Sequence, residues 1–181
     1  MFRLTQNDQV KCCRSAALQR LGAGNFLIVL LWLLTGCGLE NRLLFHPTTA
    51  IARTPRDVGL DYLDLYFTTA DNVRLNGWFI PHPQASATMI WFHGNAGNIG
   101  DRVDNIKLLH DKTRISIFIF DYRGYGRSPG SSSETTTYID GDAAMNFVRT
   151  QLQVESKNLL IFGRSLGAAV AAEMAGRHDS R

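Results

Sequence analysis

Cysteine is scarce in this 181-residue chain, and it is unevenly distributed. The three cysteines are Cys12, Cys13 and Cys37, so none lies beyond residue 37. Disulfides therefore cannot stabilise a fold in the rest of the chain, which must rely on a hydrophobic core. No cysteine and histidine spacing typical of a metal site occurs either, and the sequence implies no metal and no cofactor.

A strong charge of either sign is also lacking, because 19 Lys and Arg residues face 16 Asp and Glu residues. The formal net charge of +3 comes from the segment before Cys37, which holds four basic residues and one acidic residue. The remainder is close to neutral and has no basic stripe with interleaved aromatic residues, so we expect no nucleic-acid partner. A hydrophobic content of 45% is typical of a globular domain rather than a disordered chain.

The first 37 residues have the pattern of a signal peptide or a membrane anchor. Residues 1–25 are polar and basic, residues 26–34 form a continuous apolar run, and Thr35-Gly36-Cys37-Gly38 follows. The sequence ending at Cys37 resembles a bacterial lipoprotein signal, in which the cysteine thiol receives a lipid. The alternatives are an uncleaved anchor with residues 1–20 in the cytoplasm, or a buried core helix. Under the first two interpretations the protein is membrane-associated and its globular part is extracytoplasmic.

Residues 38–60 contain turn signals, including His46-Pro47, and are predicted to form a tether. The globular domain is expected over residues 61–181. Its first two segments, 63–69 and 73–80, partly alternate between apolar and polar residues, which predicts an antiparallel hairpin.

Strand and helix patterns alternate after the hairpin. Three near-continuous apolar runs, typical of strands covered on both faces, are 88–92, 115–120 and 159–162. Two helical patterns lie between them, with apolar faces at Val103, Ile106, Leu109 and His110 and at Ile139, Ala143, Ala144, Phe147 and Val148. This order predicts an α/β fold with a mostly parallel sheet and an N-terminal antiparallel hairpin.

The run Gly163-Arg164-Ser165-Leu166-Gly167 lies between the last predicted strand and an alanine-rich helix. A Gly-x-Ser-x-Gly sequence in this context is typical of a nucleophile elbow, in which the chain reverses sharply and exposes the serine Oγ. Glycine is expected at Gly163 and Gly167 because the turn leaves no space for a Cβ atom at either position. The motif predicts that Ser165 is a catalytic nucleophile, and the alternative is a tight turn with an incidental serine.

A second motif, His93-Gly94-Asn95-Ala96-Gly97-Asn98, follows the strand that ends at Phe92. Small residues at such a position let backbone N–H groups face a substrate oxygen. The N–H groups of Asn95 and Leu166 are therefore predicted to form an oxyanion hole, although a routine turn is the alternative. We expect the ring of His93 to have a structural role within its loop rather than to act as the general base.

Together with Asp121-Tyr122-Arg123-Gly124-Tyr125-Gly126-Arg127-Ser128-Pro129-Gly130, these motifs resemble the α/β-hydrolase superfamily. The closer likeness is to its membrane-anchored, serine-aminopeptidase-like branch, and it covers residues 40–178. The resemblance implies the α/β-hydrolase fold, with Ser165 as nucleophile and Asn95 and Leu166 as oxyanion donors. It also implies that the segment from Asp121 is chiefly structural, although Arg123 and Arg127 are alternative sites for an anionic substrate.

The resemblance also implies that a catalytic Asp or Glu and then a His follow the nucleophile in the chain. Only Glu173, His178 and Asp179 are available after Ser165, and all three lie in or just after the elbow helix. We therefore expect the fold to stop after this helix, the triad acid and base to be missing, and the strand at 159–162 to be an exposed edge. The 181-residue chain is expected to be inactive and poorly soluble on its own.

The sequence thus predicts a serine hydrolase that acts on an ester, thioester or amide carbonyl of a small molecule, lipid or peptide. The predicted acyl-enzyme forms on Ser165. The alternative is a non-catalytic, membrane-anchored binding or scaffold protein that kept the motifs of such a hydrolase.

Overall fold

A computed structural model describes residues 44–178 of the chain. The predicted signal or anchor segment, Cys37 and Asp179 lie outside the described residues. Within the described part, no helix is both long enough and apolar enough to span a bilayer. The strands are β1 (His46–Pro47), β2 (Leu63–Thr68), β3 (Arg74–Ile80), β4 (Thr88–Phe92), β5 (Ala96–Gly97), β6 (Ser116–Phe120) and β7 (Leu159–Gly163). The α-helices are α1 (Val103–Thr113), α2 (Glu134–Thr150) and α3 (Leu166–His178), and short 3-10 helices occupy Pro55–Val58, Ile99–Arg102 and Ser156–Asn158.

The central sheet has the strand order β2-β3-β6-β4-β7. Strand β3 is antiparallel to both of its neighbours, whereas β4 is parallel to β6 and to β7. Four of these five strands therefore run in the same direction, and the predicted hairpin is β2 and β3, with Leu63 opposite Phe79. The predicted α/β fold, with a mostly parallel sheet and an N-terminal antiparallel hairpin, is confirmed.

Both faces of the sheet carry a hydrophobic core, which explains why β4 and β6 are buried along their whole length. Successive residues of a strand point to opposite faces, so Ile90 and Trp91 enter different cores. Ile90 packs with the apolar residues of α2 and α3. Trp91 packs with Val103 and Ile106 of α1, on the face of that helix that the sequence predicts.

Helix α2 buries a different stripe from the predicted one. Ala144 and Val148 are buried as predicted, but Ile139, Ala143 and Phe147 are only partly buried. The fully buried stripe of the helix is Thr137, Asp140, Gly141, Ala144, Met145 and Val148. The rotation has two causes, which are an ion pair made by Asp140 and a close approach of α3 at Gly141, where a Cβ would lie 2.9 Å from the Met174 sulfur.

The described part of the predicted tether, residues 44–60, packs against the fold and so differs from the prediction. Phe45 and Leu60 are buried in the two cores. Strand β1 pairs in parallel with β5, with His46 opposite Ala96. A segment with buried apolar side chains and strand pairing is part of the domain rather than a linker.

Strand β7 forms one edge of the described sheet, as the sequence predicts. Its only hydrogen-bonded neighbour within residues 44–178 is β4. Leu160 on this strand is 46% exposed, whereas Leu159 beside it is buried. The edge therefore presents both unpaired backbone groups and apolar surface.

Candidate active site

Ser165 lies in the short turn between the end of β7 at Gly163 and the start of α3 at Leu166. Its backbone has a φ of 55°, in the left-handed region that costs a residue with a Cβ about 1–2 kcal/mol. The side chain is exposed. A non-glycine residue held in this conformation, with its hydroxyl free to meet a ligand, is typical of a functional site.

The two glycines beside Ser165 are required by the packing of the turn. A Cβ on Gly163 would overlap the backbone of Gly167 and Ala168. A Cβ on Gly167 would overlap the carbonyl group of Phe92, the last residue of β4. The turn is therefore pressed directly against the neighbouring strand.

The loop of residues 93–98 touches this turn from the side of β4. A Cβ on Gly94 would lie 3.4 Å from the Arg164 carbonyl oxygen and 3.5 Å from the Ser165 Cβ. The Asn95 carbonyl oxygen accepts hydrogen bonds from the Tyr125 hydroxyl at 2.7 Å and from the His46 N–H at 2.9 Å. The structure thus brings the first predicted oxyanion residue and the predicted nucleophile to the same edge of the sheet.

Two backbone N–H groups near Ser165 lack an acceptor among residues 44–178. Leu166 is the first residue of α3, and the first N–H groups of a helix have no intrahelical partner. The Asn95 N–H likewise has no hydrogen-bond acceptor among residues 44–178. Its side chain is engaged, because Nδ2 donates to the Leu44 carbonyl oxygen at 2.7 Å. Free N–H groups at a helix start are suited to binding an anionic oxygen.

His93 is the buried first residue of this loop, and its ring makes no hydrogen bond to Ser165 within residues 44–178. Its Nδ1 is 2.7 Å from the carbonyl oxygen of Gly94, and its ring is tilted against Tyr122 with a centroid distance of 4.7 Å. Burial lowers the pKa of His93 to about 4, so the ring is neutral at physiological pH. The predicted structural role of the ring agrees with this environment.

Arg123 and Arg127 are both held in ion pairs. Arg123 is 6% exposed and lies between Asp140, at 2.7 Å, and Asp71, at 2.7 Å. Arg127 pairs with Asp64 at 2.5 Å. The hydrogen bonds that Arg123 donates to Asp71 and to Asp140 keep the pKa of Arg123 above its usual range. Both arginines connect the loop after β6 to the rest of the fold through these ion pairs, and the Arg127 side chain is 44% exposed.

The acidic and basic residues after Ser165 lie at the far end of α3. His178 is the last residue of this helix, about 18 Å along its axis from the elbow. Its Nε2 is 2.9 Å from an Asp142 oxygen, and Glu173 pairs with Arg177 at 2.8 Å. No histidine ring is hydrogen-bonded to Ser165 within residues 44–178.

Sequence reasoning missed two residues that shape the loop of residues 93–98. The Asn98 side chain donates to the carbonyl oxygens of Thr48 and Ala50 and accepts from the Gly100 N–H at 2.8 Å. The Tyr125 hydroxyl donates a hydrogen bond to the Asn95 carbonyl oxygen. Asn98 had a signal, since asparagine is favoured at helix starts, but its partners lie about 50 residues away and leave no local pattern.

Comparisons with known proteins agree with this geometry. A family model described as alpha/beta hydrolase fold matches residues 87–181. The chain is 36% identical over 121 residues to "Alpha/beta hydrolase domain-containing protein WAV2" of Arabidopsis thaliana, covering 66% of this chain and 39% of that protein. It is 34% identical over 142 residues to "Uncharacterized membrane protein YNL320W" of Saccharomyces cerevisiae, covering 76% and 50%.

Among solved structures, the Pyrococcus furiosus esterase Pf2001 is similar, with a TM-score of 0.66 and 26% identity. The match covers 76% of this chain and 53% of the esterase. The chain thus spans about half or less of the length of these proteins.

Proposed function

Because the chain belongs to the alpha/beta hydrolase fold family, we propose that Ser165 is the nucleophile of a serine hydrolase. The single observation that carries this proposal is the exposed Ser165 with a φ of 55°, in contact with the loop that follows β4. The similarity to an esterase structure supports hydrolysis of a carbonyl compound. Its substrates are esters, thioesters or amides.

The reaction proceeds in two steps at the elbow. The Ser165 Oγ attacks the carbonyl carbon and loses its proton to a general base, and the carbonyl oxygen becomes an oxyanion. The N–H groups of Asn95 and Leu166 donate to this oxyanion. The alcohol, thiol or amine then leaves with a proton, and water hydrolyses the acyl-enzyme to release the acid and restore the hydroxyl.

The general base is the group that Ser165 lacks within residues 44–178, where no histidine ring reaches it. Loss of the base from a triad lowers turnover by several orders of magnitude. We therefore expect little or no turnover from a polypeptide of these 181 residues. A second candidate function is a membrane-associated binding or scaffold protein in which this serine is not used.

We also propose that the protein is membrane-associated, within the serine-aminopeptidase-like branch. The apolar run at residues 26–34 and the name of the yeast relative, a membrane protein, support this. The N-terminal segment is either a lipoprotein signal ending at Cys37 or an uncleaved anchor, and the fold is extracytoplasmic. Mass spectrometry of the N-terminus in membrane fractions distinguishes them, because an intact, unmodified Met1 contradicts lipidation at Cys37.

Labelling with a fluorophosphonate tests the nucleophile directly. We expect adduct mass on the peptide that contains Ser165, formed slowly because no histidine ring reaches the hydroxyl within residues 44–178. Ser165→Ala removes the adduct, whereas Ser131→Ala, at another exposed serine, leaves it unchanged. Adduct that persists in Ser165→Ala, or an unlabelled wild-type chain that binds carbonyl ligands, points to the binding or scaffold function instead.

A further inference from the structure

The ring of His93 and the carboxyl of Asp121 face each other in the interior of the protein. The His93 Nδ1 lies 2.7 Å from the Gly94 carbonyl oxygen, and since a carbonyl only accepts, Nδ1 must carry a hydrogen. In a neutral ring the other nitrogen, Nε2, is then an acceptor. That nitrogen is 3.5 Å from the Asp121 Oδ1.

The Asp121 carboxyl has an incomplete set of partners. Its Oδ1 accepts from the Ile99 N–H at 2.9 Å, but its Oδ2 and the His93 Nε2 have no hydrogen-bond partner among residues 44–178. Both side chains are fully buried. An ionised carboxylate opposite an imidazole lone pair would bring two acceptors together without water to separate them. One proton must therefore belong to the pair.

No neighbouring cation donates a hydrogen bond to the Asp121 carboxyl within residues 44–178. Arg102 donates to the Ala96 carbonyl oxygen, Arg127 pairs with Asp64, and Asp101 accepts from the Asn98 N–H. The Tyr125 hydroxyl donates to Asn95.

Burial acts on both members of the pair in the same sense. It raises the pKa of Asp121 to about 8 and lowers the pKa of His93 to about 4. At neutral pH both shifts favour the uncharged forms over an ion pair.

We propose that the proton between the His93 Nε2 and Asp121 resides on the carboxyl, so that the pair is a neutral imidazole and a neutral carboxylic acid. We also propose that this pair positions the proposed oxyanion loop. The second half of the proposal rests on the proposed function. The carboxyl meets both ends of the loop, at His93 and at Ile99, and Gly94 and Asn95 lie between them, beside Ser165. Asp121 is therefore a positioning residue that acts through the Asn95 N–H.

Nitrogen and carboxyl-carbon NMR of the full chain in detergent micelles tests the proton assignment without any substitution. We expect a neutral His93 ring with hydrogen on Nδ1 only, and a protonated Asp121 carboxyl at pH 7. A doubly protonated ring with an ionised carboxylate overturns the proposal, as does hydrogen on Nε2 only. Neither result depends on the reactivity of Ser165.

Two substitutions at Asp121 test the positioning role. Asp121→Asn keeps a neutral donor and an acceptor in the same shape. Amide hydrogen exchange at His46, whose N–H donates to the Asn95 carbonyl oxygen, should therefore match that of the wild type. Asp121→Leu keeps the volume but no polar group, and we expect exchange at His46 to rise and fluorophosphonate labelling of Ser165 to fall by about tenfold to hundredfold.

The pH dependence separates positioning from packing. Above pH 8 exchange at His46 should rise faster in the wild type than in Asp121→Asn, since only the wild type can lose the shared proton. Equal exchange in all three proteins across this pH range overturns the positioning role. An unlabelled Ser165 combined with the expected exchange and NMR results contradicts the proposed hydrolase function alone.

Discussion

The backbone of Gly167 packs directly against the carbonyl group of Phe92, and no space for a Cβ atom remains between them. This contact joins the first turn of α3 to the end of β4. It fixes the elbow against the strand that leads into the loop of residues 93–98. The position of Ser165 relative to that loop therefore requires that residue 167 has no Cβ atom.

We expect Gly163→Ala and Gly167→Ala to destabilise the fold by about 3 kcal/mol or more, because each Cβ would overlap backbone that cannot rotate away. Gly176→Ala is the matched control, since it lies in the same helix and its Cβ would meet nothing within 4 Å. This control should stabilise the protein by about 0.5–1 kcal/mol. Urea unfolding measures all three, and equal effects would contradict the packing argument.

The conformation of Ser165 predicts a cost in stability. A φ of 55° is strained for any residue with a Cβ, so Ser165→Gly should be more stable than Ser165→Ala by about 1 kcal/mol. Both variants lack the hydroxyl, so the comparison isolates the backbone. Thermal unfolding followed by circular dichroism measures the difference, and a more stable alanine variant would show that the turn is not strained.

The two carboxylates that hold Arg123 should contribute unequally. Asp140 is fully buried, so Asp140→Ala leaves a buried guanidinium underpaired and should cost about 3–5 kcal/mol. The Asp71 side chain is 44% exposed, and Asp71→Ala should cost about 1 kcal/mol or less, since water replaces it. Urea titrations of both variants give the values, and a reversed order would contradict the burial argument.

The buried Asp121 predicts a specific dependence of stability on pH. Because its folded pKa of about 8 exceeds the ordinary value of 3.8, the folded state binds more protons between those values, and stability falls as the pH rises through them. Asp121→Asn removes this dependence. The stability of the variant relative to the wild type should rise from pH 4 to pH 8 by at most about 1.4 kcal/mol per pH unit. A difference that is constant with pH would contradict the protonated carboxyl.

His93 contributes in the opposite sense. Its folded pKa of about 4 lies below the ordinary value of 6.5, so its contribution to stability is lost as the pH falls through this range. Above this range the ring is neutral in both the folded and the unfolded state, so the rise toward pH 8 reports Asp121.

The exposed edge at β7 predicts an effect on solubility. Leu160→Lys places a charge on the open strand and should raise the soluble fraction without a measurable loss of stability. Leu159→Lys on the same strand is the control, because this residue is buried and the change should destabilise the fold. Sedimentation of the expressed chains and urea unfolding measure both properties. An unchanged soluble fraction in Leu160→Lys would show that the edge does not drive aggregation.

The parallel strands could be predicted because each is apolar at nearly every position, as burial on both faces requires. The predicted runs match Thr88–Phe92, Ser116–Phe120 and Leu159–Gly163 to within one residue at each end. The glycines around Ser165 also had a local signal, since their spacing encodes the turn. The catalytic roles of Ser165 and of Asn95 stay predictions.

The remaining features depend on distant partners that no local pattern records. The segment from Leu44 to Ala50 joins the domain through side-chain amides of Asn95 and Asn98, about 50 residues further along the chain. Helix α2 buries Asp140 because its carboxylate accepts a hydrogen bond from Arg123. The sequence around an acidic residue does not indicate such a distant partner. Hydrophobic periodicity therefore assigned the elements correctly and misjudged where polar groups are buried.

The strand order also determines when the proposed site can exist. As the chain leaves the ribosome, β4 is made before either of its neighbours, and one of its sides stays open until β7 emerges. The loop after β4 is therefore synthesised long before the elbow that it will meet. Ser165 reaches this loop only in the step that docks β7 on β4, so a nascent chain cannot present the serine beside its N–H donors until the sheet has assembled.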